Sequence, residues 1–311
     1  MSLKRIKKSM LLIPALALQV FYCAKSQAQF VNGDKEIKAR TIVVADSLLR
    51  NQLIKISPQT VIGYLNDANK SAFVNIIKLP VTGKTKIDAE TIYLQSKNAV
   101  GWVAMCYRKR FTGPLEVNAA SAFVITAGGI CLTNYHVIFA FAHDKGLDGS
   151  GAFMVRLGNG KIYQLKKIIA ASKEDDIAIL QLDVKPGEQL PYLSIEKETP
   201  KIGEDLFMLG NPQDMYYSFT RGIVSNLYAD GVSWPDGSGG SVRDLMAITA
   251  DFAIGASGSP IINKNGNVIG MVSSTHTIEQ NKSGYQLTQM VIKNAIPNRS
   301  LLKILQSVNV E

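Results

Sequence analysis

The sequence Gly255–Pro260 reads GASGSP and places Ser257 in a short loop with a glycine on each side of it. Two other short peptides come before it: Leu132–Val137 reads LTNYHV, and Asp175–Leu180 reads DDIAIL. Each of these joins polar residues to a short aliphatic run, as is typical of the end or the beginning of a β-strand. In chain order the three peptides supply one histidine, two neighbouring carboxylates and one serine.

These residue types together can support nucleophilic catalysis. A serine hydroxyl is a weak nucleophile and needs an adjacent base, and His136 can serve because imidazole titrates near neutrality. A buried carboxylate from Asp175 or Asp176 would then fix the imidazole tautomer and stabilise the imidazolium. Because little side chain intrudes beside Ser257, the backbone N–H groups of Gly255 and Ser257 are the expected donors to a developing oxyanion.

The surrounding sequence predicts many short strands. Between Val100 and Ser273, short runs rich in β-branched residues are bounded by Gly, Pro, Asn or Asp, a pattern that favours a β-barrel or a β-sandwich. Gln189–Lys201, with its two prolines, is the expected link between two halves. Asp88 is the predicted N-cap of a short helix, and Asn298–Ser307 is predicted to form a closing amphipathic helix.

With the three peptides in this order, the chain resembles the trypsin-like serine peptidases, and within them the bacterial HtrA/Deg-type branch. The resemblance covers roughly residues 87–305. It extends to KIGED at Lys201–Asp205, LGNP at Leu209–Pro212, TRGIVS at Thr220–Ser225 and VIGMVS at Val268–Ser273. It implies an all-β fold of two six-stranded antiparallel β-barrels with the active site between them, and short N-terminal and C-terminal helices. The first barrel is expected at about 98–188 and the second at about 201–297.

The resemblance also implies a function. The protein would be a serine endopeptidase that hydrolyses proteins or peptides through an acyl-enzyme at Ser257, without a cofactor or a metal. It selects Asp176 over Asp175, because the family's acid directly precedes the aliphatic strand. His143 is expected to be structural.

The same resemblance suggests residues that contact the substrate. The strand after the nucleophile lines the specificity pocket in the family, so Ser273, Thr275 and His276 are candidate substrate-binding residues. Asp251 lies six residues before Ser257, where a carboxylate at the pocket floor would give a weak preference for Lys or Arg; a different loop length would point it elsewhere.

Two residues depart from the digestive members of the family. Ala256 replaces the aspartate that receives a new N-terminus, so activation by such an ion pair is not expected. Ser259 replaces the second glycine of the loop. We also expect no peptide-binding PDZ domain, because too little sequence follows the predicted second barrel to form one.

Two other functions compete with peptide hydrolysis. A catalytically silent two-barrel binding module would have a broken set of catalytic residues, whereas all three are present here. An esterase of the α/β-hydrolase type would need the order Ser, acid, His and a Gly-x-Ser-x-Gly loop, and this sequence has neither.

The first residues resemble a secretory signal. A basic start is followed by the apolar run Met10–Tyr22 and by small residues at Ser26 and Ala28, which predicts a signal peptide over 1–28 and export to a periplasm or the cell exterior. An uncleaved membrane anchor is disfavoured, because the apolar run is short of the ~20 residues that span a bilayer. Residues 29–86 form an N-terminal segment to which the sequence assigns no role, and a pro-region, a packing arm and a small accessory unit are the open alternatives.

Charge and cysteine content exclude other classes. Five of the positive charges behind the net charge of +9 lie within residues 1–28, and no basic stripe interleaved with aromatic residues indicates nucleic-acid binding. Cys106 and Cys131 lie in apolar runs, as buried thiols or as a disulfide pair. No His or Cys cluster has metal-ligand spacing.

Overall fold

The computed structural model describes residues 33–66, 79–108, 114–143, 150–233, 237, 239–282 and 285–308. The predicted signal segment, 1–28, lies outside the described residues. Strands account for most of the described secondary structure, so the predicted β class is confirmed.

Six strands form the first sheet. They are β1 (Val100–Arg108), β2 (Leu115–Val124), β3 (Ile130–Thr133), β4 (Gly151–Leu157), β5 (Ile162–Ser172) and β6 (Ile177–Leu182). Neighbouring strands are antiparallel in the order β1-β2-β3-β6-β5-β4, and β4 also pairs with β1. The sheet therefore closes into the six-stranded antiparallel barrel that the sequence predicted.

Six further strands form the second sheet. They are β7 (Asp205–Gly210), β8 (Ser218–Ser233), β9 (Gly240–Ile248), β10 (Pro260–Asn263), β11 (Val268–Lys282) and β12 (Tyr285–Pro297). The antiparallel order is β7-β8-β9-β12-β11-β10, and β10 pairs with β7, so this sheet also closes on itself. The hairpins β8–β9 and β11–β12 are its longest pairs.

Both faces of β6 are buried, which shows how the two sheets meet. Ala178 and Leu180 belong to the core inside the first barrel, whereas Ile177 and Ile179 belong to a cluster that includes residues of the second sheet such as Met271. Successive side chains of a strand point to opposite faces, so a near-continuous apolar run serves two cores at once. Residues at the ends of the strands that share this cluster can therefore form a site between the two sheets.

The described residues form five α-helices around the sheets. They are α1 (Gly33–Arg50), α2 (Pro58–Asn66), α3 (Ala89–Ser96), α4 (Tyr135–His143) and α5 (Asn298–Val308). Asp88 caps α3, since its carboxylate accepts a hydrogen bond from the Thr91 backbone N–H over 2.8 Å, as predicted. The helix α5 closes the chain with Leu301 and Leu305 buried. Among the described helices, none combines the length and the hydropathy needed to cross a bilayer.

The described part of the N-terminal segment packs against the sheets. In α1, Ala45 is fully buried in a cluster with Trp102 and Met154 of the first barrel. In α2, Val61 is fully buried in the first barrel's own core cluster. The Gly83 backbone N–H donates to Asn267 Oδ1 over 2.9 Å. These contacts tie the segment to both sheets.

The two cysteines of the β region are buried and unbonded. Cys106 and Cys131 are free thiols, and burial raises the pKa of each to about 12. Of the two alternatives left by the sequence, the structure therefore has the buried thiols and not the disulfide.

Candidate active site

Strand pairing brings the histidine and carboxylate peptides together. β3 and β6 are antiparallel neighbours in which Thr133 pairs with Ala178. His136 follows β3 at the start of α4, and Asp176 immediately precedes β6. The side-chain amide of Asn134 donates to the Asp176 backbone carbonyl over 3.1 Å, which joins the two strand ends.

The Asp176 carboxylate holds the imidazole of His136. Nδ1 of His136 lies 3.0 Å from each Asp176 carboxylate oxygen, and the His136 backbone N–H donates to Oδ1 over 3.0 Å. With an ionised carboxylate as its partner, Nδ1 carries the proton, so Nε2 is left as the basic nitrogen. The Asp176 side chain is 7% exposed and that of His136 is 32% exposed.

Asp176 owes its direction to an unusual backbone conformation. Its φ is +56°, in the left-handed region that Asp adopts more readily than most residues. The neighbouring Asp175 points elsewhere: its Oδ2 is 3.4 Å from Lys303 Nζ and accepts from Ser172 Oγ over 3.1 Å. Only one carboxylate of the pair therefore contacts the histidine.

The environment keeps the Asp176 carboxylate charged. Burial by itself raises the pKa of Asp176, but His136 and Arg243 lower it by more, and the balance holds the pKa below its usual value. A carboxylate in this state can stabilise an imidazolium beside it.

Two second-sheet residues also contact the acid. Ser273 in β11 is buried, and its hydroxyl donates to Asp176 Oδ2 over 3.0 Å. Arg243 in β9 places Nη1 3.6 Å from the same oxygen, and its Nη2 donates to Ser273 Oγ over 3.2 Å. The Ser273 hydroxyl is thus bonded within the protein, and a contact of Ser273 with substrate stays a prediction. Arg243 was not anticipated from the sequence.

The loop between β9 and β10 carries Ser257 in a conformation that requires glycine. Gly255 and Gly258 have φ values of +95° and +87°. A Cβ at Gly255 would lie 2.7 Å from the Asn211 carbonyl oxygen, and one at Gly258 would lie 2.0 Å from the Ser121 carbonyl oxygen. The two glycines thus permit a turn at which the loop touches the first barrel.

Ser121 of β2 attaches this loop to the first barrel. Its hydroxyl donates to the Gly255 carbonyl over 3.0 Å, and its backbone N–H donates to the Ser257 carbonyl over 2.7 Å. The fully buried Asn211 donates to Ser121 Oγ through its side-chain amide over 3.1 Å. Within the described part of the chain, the backbone N–H groups of Gly255 and Ser257 have no acceptor. They are available to a developing negative charge.

The nucleophile loop and the His136–Asp176 pair lie at the same end of the interface. The Gly258 N–H donates to the Val272 carbonyl over 3.1 Å, and the next residue, Ser273, contacts Asp176. Among the described residues no hydrogen bond joins Ser257 Oγ to His136. Catalytic hydrogen bonds often form fully only when substrate is bound.

Comparison with known proteins agrees with this geometry. Residues 120–271 match the family model described as "Trypsin-like peptidase domain". This stretch of the chain is similar to a trypsin-like peptidase domain. It runs from β2 into β11 and includes His136, Asp176 and Ser257.

Several curated proteins are similar to stretches of this chain. The chain is 30% identical over 166 residues to "Protease Do-like 5, chloroplastic" of Arabidopsis thaliana, which covers 53% of this chain and 50% of the relative. It is 35% identical over 161 residues to a "Probable periplasmic serine endoprotease DegP-like" of Pseudomonas savastanoi, covering 50% of this chain and 29% of the relative. A "Probable periplasmic serine protease do/HhoA-like" of Haemophilus influenzae is 26% identical over 241 residues, 75% of this chain and 47% of the relative. The chain thus spans half or less of the length of these relatives.

The other candidate substrate residues lie at the protein surface. Thr275 and His276 are exposed in β11. The Asp251 side chain is 90% exposed and its Oδ1 is 4.0 Å from Lys293 Nζ. Substrate contacts of these three residues stay predictions.

In the ranges that the structure describes, no three His, Cys, Asp or Glu side chains are grouped so that they could hold a metal ion. His143, the other histidine near the site, is exposed and its Nδ1 lies 3.0 Å from the Phe139 carbonyl oxygen of the same helix.

Proposed function

We propose that this protein is a serine endopeptidase in which Ser257 is the nucleophile, His136 the general base and acid, and Asp176 the orienting carboxylate. The observation that carries the proposal is the buried Asp176 carboxylate, which holds Nδ1 of His136 and leaves Nε2 as the basic nitrogen. The family match and the relatives named as serine endoproteases support the same activity.

The proposed reaction has two halves. Ser257 Oγ attacks the peptide carbonyl carbon while its proton passes to His136 Nε2, and the carbonyl oxygen becomes an oxyanion. The C–N bond then breaks as the imidazolium returns the proton to the leaving amine, which leaves an acyl-enzyme. A water molecule, deprotonated by His136, attacks the acyl carbon, and Ser257 regains its proton as the acid product departs.

The oxyanion is assigned to the backbone N–H groups of Gly255 and Ser257. Both lack an acceptor in the described part of the chain, and Gly255 is buried. Ser121 fixes the carbonyls of both residues, and these carbonyls belong to peptide groups directly adjacent to those of the two N–H donors. Preorganised donors of this kind are worth about 10²–10³ in rate each.

The proposed organisation follows the sequence analysis. Residues 1–28 would be a signal peptide, 29–86 a packing arm, and 87–305 the peptidase domain. Substrates would be proteins or peptides. We propose export, with the periplasm favoured by the printed names of two of the relatives, although a third is named chloroplastic.

Labelling with a fluorophosphonate probe tests the proposal. The purified protein should react, and the Ser257→Ala variant should not. Ser259→Ala is the matched control, because Ser259 lies two residues away in the same loop and its buried hydroxyl has no hydrogen-bond partner among the described residues. Labelling should therefore survive in Ser259→Ala, and wild-type protein should cleave casein while Ser257→Ala does not.

Three other outcomes would contradict the proposal. A folded wild-type protein with no labelling at Ser257 would favour the silent binding module. Labelling that persists in Ser257→Ala would place the nucleophile elsewhere. Hydrolysis of an ester substrate without any cleavage of the matching peptide amide would favour an esterase.

A further inference from the structure

Arg243 is a buried cation beside the proposed catalytic acid. It is 8% exposed, and its guanidinium reaches across the interface from β9 in the second sheet to Asp176 at the start of β6 in the first. Nη1 is 3.6 Å from Asp176 Oδ2, and Nη2 donates to Ser273 Oγ over 3.2 Å. Burying a guanidinium is costly unless an opposite charge compensates it, so its position here depends on Asp176.

A second contact brings the same end of β9 to the same turn. Ser241 Oγ donates to the Glu174 backbone carbonyl over 3.0 Å. The strand therefore contacts the turn before β6 at two points. Ser241 binds the backbone of Glu174, and Arg243 binds the side chain of Asp176. Arg243 thus lies where it can determine how the acid is presented to His136.

Groups from three other elements contact the Asp176 carboxylate. Asp176 meets His136 from α4, Arg243 from β9 and the hydroxyl of Ser273 from β11. On its own turn, the side chains of Lys173, Glu174 and Asp175 precede it, and Lys303 from α5 lies 3.4 Å from Asp175. The Arg243 guanidinium is the buried cation of this group.

We propose that Arg243 is a positioning residue of the peptidase site, which orients Asp176 and Ser273 toward His136 and favours the neutral, basic form of the His136 imidazole. This inference rests on the proposed function, because it takes His136 and Asp176 as the base and its orienting acid. The Arg243 and His136 side chains both contact the Asp176 carboxylate. A fixed positive charge near an imidazole disfavours its imidazolium form.

The geometry explains what removal of the guanidinium would change. Without Arg243, the donors left to Asp176 Oδ2 among the described residues are His136 and the Ser273 hydroxyl, and that hydroxyl no longer accepts a hydrogen bond from the guanidinium. Arg243 is also one of the groups that lower the Asp176 pKa. The carboxylate would be less well oriented, and the histidine would hold its proton to a higher pH.

Steady-state kinetics of the full chain against pH test this role. We expect Arg243→Gln to lower kcat about tenfold with little change in KM. We expect the acid limb of kcat/KM to move up by roughly one pH unit. Arg243→Lys keeps the positive charge but lacks the planar guanidinium. Its kcat should therefore fall, while the acid limb of its kcat/KM profile should stay at the wild-type pH. Arg221→Gln is the matched control, because Arg221 is an exposed arginine of the neighbouring strand β8, and it should behave as wild type.

An Arg243→Gln variant with wild-type kcat and an unmoved acid limb would overturn the inference. Circular dichroism establishes that each variant is folded. If Arg243→Gln does not fold, Arg243→Lys provides the test. An unchanged kcat in Arg243→Lys would show that the planar guanidinium does not position Asp176 and Ser273.

A nuclear magnetic resonance titration of the His136 ring separates this inference from the proposed function. The midpoint of the titration should rise in Arg243→Gln whether or not the protein cleaves peptides. Absence of fluorophosphonate labelling in wild type would overturn the peptidase assignment alone. Labelling in wild type combined with an unmoved His136 midpoint in folded Arg243→Gln would overturn the role of Arg243 alone.

Discussion

The Ser121 hydroxyl, in a strand of the first barrel, donates a hydrogen bond to the Gly255 carbonyl oxygen, in the nucleophile loop of the second, over 3.0 Å. The two residues are 134 positions apart in the chain. One side chain thereby fixes the orientation of a peptide group whose neighbours are the proposed oxyanion donors. The loop is accordingly ordered by the barrel that carries the histidine and the acid.

Removal of this hydroxyl should slow the reaction more than it weakens substrate binding. In Ser121→Ala, we expect kcat to fall about tenfold with a small change in KM, because the Gly255 peptide loses its fixed orientation. Ser194→Ala is a suitable control, since Ser194 also donates to a backbone carbonyl, that of Val81, but away from the loop. Equal kcat values in Ser121→Ala and wild type would contradict the prediction.

Gly258 should tolerate no side chain. A Cβ there would lie 2.0 Å from the Ser121 carbonyl oxygen, so Gly258→Ala should lower Tm sharply and abolish labelling of Ser257. Gly187→Ala is matched in conformation, with φ +81° against +87°, but its Cβ would meet no atom within 4 Å. It should cost only the ~1 kcal/mol of left-handed strain. Similar Tm values for the two variants would disprove the steric argument.

The ionised Asp176 should stabilise the fold in a definite pH range. Its pKa is lowered in the folded protein, so its stabilisation is present above the unfolded value of about 4 and is lost as pH falls through the folded value. Denaturant unfolding between about pH 2 and 5 should show a free energy of unfolding that decreases with acid in wild type. This decrease should be smaller in Asp176→Asn, and equal slopes in the two proteins would contradict the prediction.

The two buried thiols should be unreactive in the native state. Burial raises the pKa of Cys106 and Cys131 to about 12, and the thiolate is the reactive form. In a Cys23→Ser background, a disulfide reagent at pH 8 should find no thiol in the folded protein and two after denaturation. Prompt reaction of either thiol before unfolding would show that its strand opens.

The N-terminal segment should behave as part of the fold. Val61 of α2 is fully buried, whereas Val43 of α1 is 68% exposed. Val61→Asp should therefore lower Tm by several degrees or more, while Val43→Asp should leave it nearly unchanged. Higher peptidase activity in folded Val61→Asp would instead indicate an inhibitory pro-region.

Much of the site could be predicted from sequence because its signals are local. Asp88 caps α3 by accepting a hydrogen bond from the Thr91 backbone N–H, three positions ahead. Short aliphatic runs between turn residues form strands wherever they pack. The glycines beside Ser257 reflect positive φ values that other residues rarely adopt. Asn211 had a signal of its own in LGNP, but its hydrogen bond to Ser121 could not be inferred from that peptide.

Other features could not be predicted because they depend on which distant residues meet. The Ser273 hydroxyl contacts Asp176, 97 positions earlier. Asp251 is exposed, because the path of its loop decides where its side chain points. The residues next to Arg243 in the sequence do not indicate that its guanidinium contacts Asp176.

The chemistry available to this protein can be read from its residues: a histidine, an acid and a serine in glycine-rich or strand-end peptides, and a β-rich chain to hold them. Residue types and short-range backbone preferences are properties of neighbouring positions, so they are visible along the chain. Tertiary packing was needed to learn which groups surround Asp176, how Ser121 orders the nucleophile loop, and where the N-terminal segment lies. Those relationships arise when the closed sheets pack together, and the packing depends on the whole chain at once.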